Sequence, residues 1–376
     1  MQELSTLSRV VAVDVLVNGA QSRAQLAKKM GLSPATLTRL VRPLLDAGIL
    51  VESGALRTGA RGRSSLALDV VDGARRFIGV KLTSDSIYAV LTNLRAEILD
   101  SEVRKEPSLE VGDIVAAVAE QVDALTLRAA GAVDAVGVTV GGRVDNGETV
   151  ADSPFLHWHA VPFRTLLAER VEAPLYLAND VVGLTTAQQW FGYGRSYADF
   201  ALITVGAGVG YGLVIDHELV ATGATPVSHL AIDPYGPLCP RGHRGCMTAY
   251  VTSGAMTSAV SQGLGRRVGY DELLRLAEHG HPLAGRVVQE AAHALGRAAS
   301  AVTSLTGVER IILSGEGVAL AEVAAAHLRA GCQEYADGHA VQPVVRPMTF
   351  LEWARGAAAA AIKATFPVAV TERRAP

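Results

Sequence analysis

Apolar positions near the start of the chain recur at helical spacing. Leu7, Val10, Val11, Val15 and Leu16 form one stripe and predict a first helix. The run Ser22-Arg-Ala-Gln25 fits a capping box, in which the serine hydroxyl and the glutamine amide satisfy each other's unpaired backbone amides. A short second helix follows, with Ala24, Leu26 and Ala27 available for packing, and Gly31 permits a tight turn. Ser33 is a natural N-cap, and Pro34 falls at the first helical position, where its missing N–H costs nothing. Leu37, Val41, Leu44 and Leu45 then give the buried stripe of a third helix, bent late by Pro43 and ended by Gly48. Two short helices meeting at a glycine turn make a helix-turn-helix. Ile49–Glu52 and Ser64–Leu68 read as strands around the loop Gly54–Arg63, which makes the motif winged.

Beyond residue 76 the pattern changes to short buried strands alternating with helices. Strands are predicted at Phe77–Lys81, Ile87–Leu91, Ala135–Val140, Leu175–Leu177, Phe200–Val205 and Ile311–Leu313. Helices are predicted at Leu109–Leu127, Pro162–Arg170, Val181–Phe191, Leu283–Leu305 and Ala354–Phe366. This is an α/β body of two lobes, with no tandem repeat visible along the chain. The expected division is a head over 1–70 and a body over 76–376. The body's lobes would be 76–185 with the closing helix 354–366, and 186–350.

Composition adds little until it is divided. The 376 residues are 49% hydrophobic and 19% charged, enough to bury a core and too ordered a mixture for disorder. Three cysteines are too few for a disulfide scaffold and suit a cytoplasmic setting. The most apolar stretch, Phe200–Ile215, is broken by glycines and shorter than the ~20 residues that span a bilayer, so no membrane partner is expected. The formal net charge of −3 suggests no polyanionic partner. Residues 1–66, however, hold nine basic side chains against four acids, a net of +5 that leaves −8 for the rest. A small basic head on an acidic body implies a nucleic-acid partner for the head alone. Ser33, Thr36, Thr38, Arg39 and Arg42 on the third helix suit a major groove, and Arg57, Arg61 and Arg63 in the wing suit phosphates or a minor groove.

Three further motifs carry chemistry. Gly206-Ala-Gly-Val-Gly-Tyr-Gly212 lies between two strands and opens no helix, so it is not a dinucleotide fingerprint. A glycine hairpin approaching a phosphate and a merely tight turn both remain open. Cys239 and Cys246 bracket a Gly/Pro-rich loop with His229 ten residues upstream; these supply three of the four ligands of tetrahedral zinc. Ala178-Asn-Asp180 and Ser314-Gly-Glu-Gly317 each follow a predicted strand.

These residues, with the head, give the chain a resemblance to the ROK family (repressors, open reading frames and sugar kinases), in its transcriptional-regulator branch. The resemblance spans nearly the whole length. It implies a winged helix-turn-helix followed by a two-lobed actin-like ATPase (ribonuclease-H-like) body. Asn179-Asp180 resembles the family's Asn-Asp pair, whose aspartate is the catalytic base in the kinases. His229 resembles the histidine of Glu-x-Gly-His, which lies near the sugar and ligates zinc. Cys239–Cys246 resembles the family's cysteine motif, and Ser314–Gly317 its nucleotide-side glycines.

The departures from that family shape the expectation. Where the kinases have Asp-x-Gly-Gly-Thr, this chain has Lys81-Leu-Thr-Ser-Asp85, so magnesium-ATP is not expected and the protein is not expected to be an enzyme. Pro226, Thr248 and Phe155 stand where the family places Glu, Glu and Asn against sugar hydroxyls. The implied effector contacts are therefore Gly142, Arg143, Phe155, Asn179, Asp180 and His229, for an atypical sugar or sugar derivative. Arg241 replaces the middle cysteine, so the metal set His229, Cys239 and Cys246 is expected to be incomplete, with water or His243 needed as a fourth ligand. The resemblance implies a homodimeric or tetrameric repressor of carbohydrate-related genes that binds a double-stranded operator. Two alternatives stay open: a sugar kinase carrying a DNA-binding head, and an effector-independent DNA-binding protein.

Overall fold

The computed structural model describes residues 4–56, 65–106, 108–129, 131–220, 227–334 and 341–366. The wing residues Arg57, Arg61 and Arg63, and Pro226, lie outside them. The contacts divide the chain into two units, residues 1–195 with 351–376, and residues 196–350.

The head opens the first unit. Helices α1 (Thr6–Asn18), α2 (Arg23–Lys29) and α3 (Pro34–Asp46) pack with strands β1 (Gln21–Ser22), β2 (Leu50–Leu56) and β3 (Ser65–Val70), which form a sheet in the order β1-β3-β2. Each helix start is the one the sequence signals: Ser22 and Gln25 form the full capping box, and Ser33 caps α3 with Pro34 in its first turn. Val11, Val15, Leu16, Leu26, Leu37, Val41 and Leu44 are buried together. The stripe of α3 takes in Leu40 as well, while Leu45 is only half-buried. Pro43 sits inside α3, whose last turn still reaches Asp46.

The body part of this unit is a five-stranded sheet. Its strands are β4 (Phe77–Leu82), β5 (Ser86–Thr92), β6 (Ile98–Lys105), β7 (Ala135–Val140) and, after the small sheet β8 (Arg143–Asp145), β9 (Thr149–Ser153) and β10 (Trp158–Val161), β11 (Leu175–Asn179). The order is β11-β7-β4-β5-β6; β11, β7 and β4 run parallel, β5 runs antiparallel to β4, and β6, antiparallel to β5, returns to the direction of the other three. Helices α4 (Val111–Arg128), α5 (Phe163–Ala168), α6 (Asp180–Phe191) and the chain-closing α13 (Phe350–Thr365) cover it. Gly79 and Gly137 are register partners in β4 and β7, and together they admit α13. A Cβ on either would stand 2.0 Å from a backbone oxygen of that helix, Ala354 or Ala357. Alanines along α13 complete this close helix–sheet approach. Trp158 is buried, stacked on Phe163, and its Nε1 donates to Leu109 O.

The second unit repeats the same sheet. Strands β12 (Phe200–Val205), β13 (Val209–Ile215), β14 (Glu218–Val220), β15 (Ile311–Gly315) and β16 (Val344–Pro347) are ordered β14-β13-β12-β15-β16, with β12, β15 and β16 parallel. In chain order both sheets therefore read third-second-first-fourth-fifth. The duplication is one of fold, carried by buried strand runs and not by repeated residues. Helices α7 (Met247–Val251), α8 (Ser253–Leu264), α9 (Tyr270–Glu278), α10 (Pro282–Thr306), α11 (Leu320–Val323) and α12 (Ala325–Gln333) enclose its core. Among the described residues, no helix is long and apolar enough to cross a membrane.

Candidate functional site

In the head, burial of Leu37, Leu40, Val41 and Leu44 turns the opposite face of α3 outward. Arg39 is exposed, and the Arg42 side chain is 83% exposed, with Asp46 3.9 Å away. The three hydroxyls are partly engaged locally. Ser33 Oγ accepts from Thr36 N at 3.1 Å and lies 2.9 Å from Thr36 Oγ1, and Thr38 Oγ1 donates to Pro34 O at 2.9 Å. These bonds fix the start of the helix, while the Arg39 and Arg42 guanidinium groups extend from its exposed face.

The cluster around Asp180 belongs wholly to the first unit. Asn179 caps α6: its Oδ1 accepts from Val181 N and Val182 N, and its Nδ2 donates to Gly142 O at 2.7 Å. Asp180 follows in the first turn, where the helix dipole favours a carboxylate. Its Oδ1 accepts from Val181 N at 2.9 Å, and its Oδ2 accepts from Lys81 Nζ in a close ion pair. The Lys81 side chain is only 7% exposed, and its ammonium lies 5.4 Å from the Trp353 ring centroid. Phe155 closes over Gly141, where a Cβ would meet the phenyl ring at 2.8 Å and Asp180 Oδ2 at 3.3 Å. Gly142 has φ +139° and no room for a Cβ against Asp152 O, while Arg143 is exposed and pairs with Asp145. Five of the six residues expected to contact an effector thus belong to one unit, and His229 belongs to the other.

The pairing of Lys81 was missed at the level of sequence. Its signal was a lysine inside β4, Phe-Ile-Gly-Val-Lys-Leu, a strand buried at every position. Such a cation needs a buried partner, since an isolated charge there costs far more than the fold can supply.

The glycine turn between β12 and β13 is met by Glu316, the residue that follows β15. Glu316 Oε1 accepts from Ala207 N at 2.9 Å, and a Cβ on Gly206 would fall 1.8 Å from that oxygen. The chain's own Glu316 carboxylate occupies the space beside Gly206, and a side chain there would displace it. Beside it, Gly317 N donates to Val205 O, and the Tyr270 hydroxyl donates to Gly317 O at 2.5 Å. Burial pushes that phenol up to about 12.

In the loop after His229, ligand atoms of His229, Cys239, His243 and Cys246 all lie within 4.8 Å of one another, so His243, one of the two fourth ligands expected, stands beside the other three. His229 Nδ1 is 3.8 Å from Cys239 Sγ and 3.6 Å from Cys246 Sγ, and His243 Nδ1 is 3.7 Å from Cys239 Sγ. Bond lengths of about 2.3 Å to sulfur and about 2.0–2.1 Å to nitrogen give a tetrahedral S···N edge of about 3.6 Å. The four residues fit zinc, with His243 supplying the ligand that Arg241 cannot. Spacing alone left His243 and water as equal choices, since His243 stands two residues from the family's cysteine position; the turn at Gly242, φ +83°, brings its ring back. Burial raises the Cys239 thiol, but the backbone N–H groups of Arg241, His243 and Gly242, with Cys246, outweigh it and bring the thiol below its ordinary value. Burial raises Cys246, while burial and the neighbouring His243 and Arg241 lower His229. Thr248 Oγ1 donates to Ser228 O at 2.8 Å, which braces the turn that carries His229.

A model of the ROK family matches residues 77–364, and one described as winged helix-turn-helix DNA-binding matches residues 15–51. The xylose repressor of Caldicellulosiruptor bescii is 24% identical over 344 residues, covering 85% of this chain and 85% of that protein. The DNA-binding transcriptional repressor Mlc of Escherichia coli is 22% identical over 312 residues, covering 78% of this chain and 77% of Mlc. Among solved structures, a ROK family transcriptional regulator described as a homologue of Mlc superposes with a TM-score of 0.81 at 21% identity, covering 96% of this chain and 97% of that one. A ROK hexokinase from Thermus thermophilus superposes with a TM-score of 0.65 at 23% identity, covering 77% of this chain and 99% of the hexokinase. Likeness at that identity shows the fold.

Proposed function

This chain belongs to the ROK family, and on that footing we propose that it is a DNA-binding transcriptional repressor of carbohydrate-related genes, governed by a small sugar-derived effector, in which phosphoryl transfer is lost. The observation that carries the loss is the Lys81–Asp180 ion pair. Phosphoryl transfer depends on positioned metal and phosphate and on a group that takes the hydroxyl proton. Here the acceptor that resembles the kinases' base is bound to a side-chain ammonium, in the position where the metal-side acid would stand. Glu316 adds to this in the second unit, where its carboxylate lies on the glycine turn that a phosphate would approach.

The regulatory reading rests on the capped third helix with Arg39 and Arg42 outward. Two heads on a two-fold dimer would read a pseudo-palindromic operator in successive major grooves. The effector shifts that binding only as far as it prefers one conformation over another. Purified protein is expected to retard a fragment of its own upstream region in preference to random DNA, with affinity falling as salt rises. Equal affinity for both fragments, or detectable ATP-dependent phosphorylation of a hexose or amino sugar, would overturn the reading.

We also read the loop of the second unit as a structural zinc site held by His229, Cys239, His243 and Cys246. Bound there, zinc would cross-link the loop to the turn that carries His229 and stabilise the folded state. Elemental analysis is expected to find one zinc per chain. His243→Ala, which removes the one exposed ligand, is expected to lose most of it and lower the melting temperature. Unchanged zinc content in that variant would sink His243 as a ligand.

A further inference from the structure

The head is not hung on a loose tether. Leu94 and Ala96 in the β5–β6 turn and Phe77 of β4 are fully buried in one apolar cluster with Leu68 and Val70 of the wing strand and with Ala358, Ala361 and Ile362 of α13. Above that seam stands Arg95. Its Nε donates to Asp72 Oδ1 at 2.6 Å in the connecting turn, and its Nη2 donates to Asp69 Oδ1 in β3. Leu94 N adds a bond to Asp72 O at 3.3 Å. The turn that presents Arg95 is itself organised by the buried Asn93, whose Oδ1 accepts from Arg95 N at 2.9 Å and Glu97 N at 3.0 Å. A guanidinium reaching two carboxylates, one on the head's last strand and one on the turn that leaves it, fixes direction as well as distance, which a single ammonium cannot do.

The same turn is joined to the Asp180 cluster through a few residues of α13. Arg355 Nε donates to Ala96 O at 2.7 Å. Trp353 lies under the Lys81 ammonium, and Gly356 crosses α6 at Gly183, where the backbones approach so closely that a Cβ on Gly356 would fall 2.9 Å from Leu184 N. Residues 353, 355 and 356 therefore touch Lys81, the Arg95 turn and the helix that Asp180 opens. Packed elements of this kind move as pieces and not by continuous deformation.

We propose that Arg95 is a positioning residue for operator binding: it holds the DNA-reading head on the body so that a change at the Lys81–Asp180 pair, carried by the first turns of α13, is felt at the head. The inference rests on the repressor reading above. Its test is a double-mutant cycle on operator affinity in the full chain, using the protein's own upstream fragment, with Lys81→Met breaking the pair and Arg95→Ala releasing the clasp. Couplings between distinct sites are commonly about 5-fold or more, and independent sites combine without interaction. Lys81→Met is expected to change operator affinity about 5-fold or more in the wild-type background and less than about 2-fold in the Arg95→Ala background. Arg42→Ala, a head substitution outside the clasp, is expected to leave the full effect of Lys81→Met in place.

Should Arg95→Ala not fold, Asp72→Asn removes one arm of the clasp at a half-exposed position and takes its place in the cycle. The same factor for Lys81→Met in both backgrounds, or no effect of Lys81→Met in the wild type, would overturn the proposal. In either case the wild-type protein still binds its operator, whereas failure of the repressor reading would show as no operator preference at all.

Discussion

Gly137→Ala is expected to destabilise the protein by about 3 kcal/mol or more, the upper range for overpacking, because the new methyl has nowhere to go. It would stand 2.0 Å from Ala357 O and 2.7 Å from the carbonyl carbon behind it. Both are backbone atoms of a buried helix, so relief requires α13 to lift from the sheet. The register partner Gly79 holds the same helix at Ala354 O, which makes tilting an equally poor escape. Gly112→Ala is the control: nothing lies within 4 Å of its Cβ, and α4 should gain up to about 1 kcal/mol of helix propensity. Urea unfolding followed by circular dichroism reads both. A loss below about 1 kcal/mol at Gly137 would mean that α13 does not seat as closely as described.

Replacing Arg39 and Arg42 together by alanine is expected to lower operator affinity by about 100-fold or more, since each well-placed arginine contact to a base is worth about 1–3 kcal/mol. Neither side chain supports the head's core: Arg39 is exposed, and the Arg42 contact with Asp46 is long and solvated. Surface pairs of that kind contribute about 0–1 kcal/mol at most, so the melting temperature should hardly move. The measurement is a titration of the promoter fragment at two salt concentrations. Loss of specific binding together with a shallower salt slope would assign the residues to the DNA interface. Unchanged affinity would move the reading surface elsewhere on the head.

The head was legible because its signals are local. A cap, a proline, a glycine and a four-residue stripe each act within one or two turns, and Ser22, Ser33, Pro34 and Leu37 all do in the structure what their spacing predicts. In the body, strands and helices were legible by run length, but their arrangement was not. The two five-stranded sheets share one order without sharing residues, since a buried strand asks only for apolar side chains of suitable size.

The candidate sites separate the same way. Legible along the chain were a basic head suited to nucleic acid and a lysine inside an apolar strand; the family resemblance set Lys81 where the kinases have a metal-side acid and Arg241 where they have a cysteine. Folding alone brings Lys81 onto Asp180, 99 positions away, Glu316 onto Gly206, and His243 to the other three candidate metal ligands. It also decided that Arg95 clasps the head. The physical reason is common to all four. A charged or ligating side chain announces a need for a partner in its own sequence, but which partner meets it is set by distances between segments that no local pattern encodes.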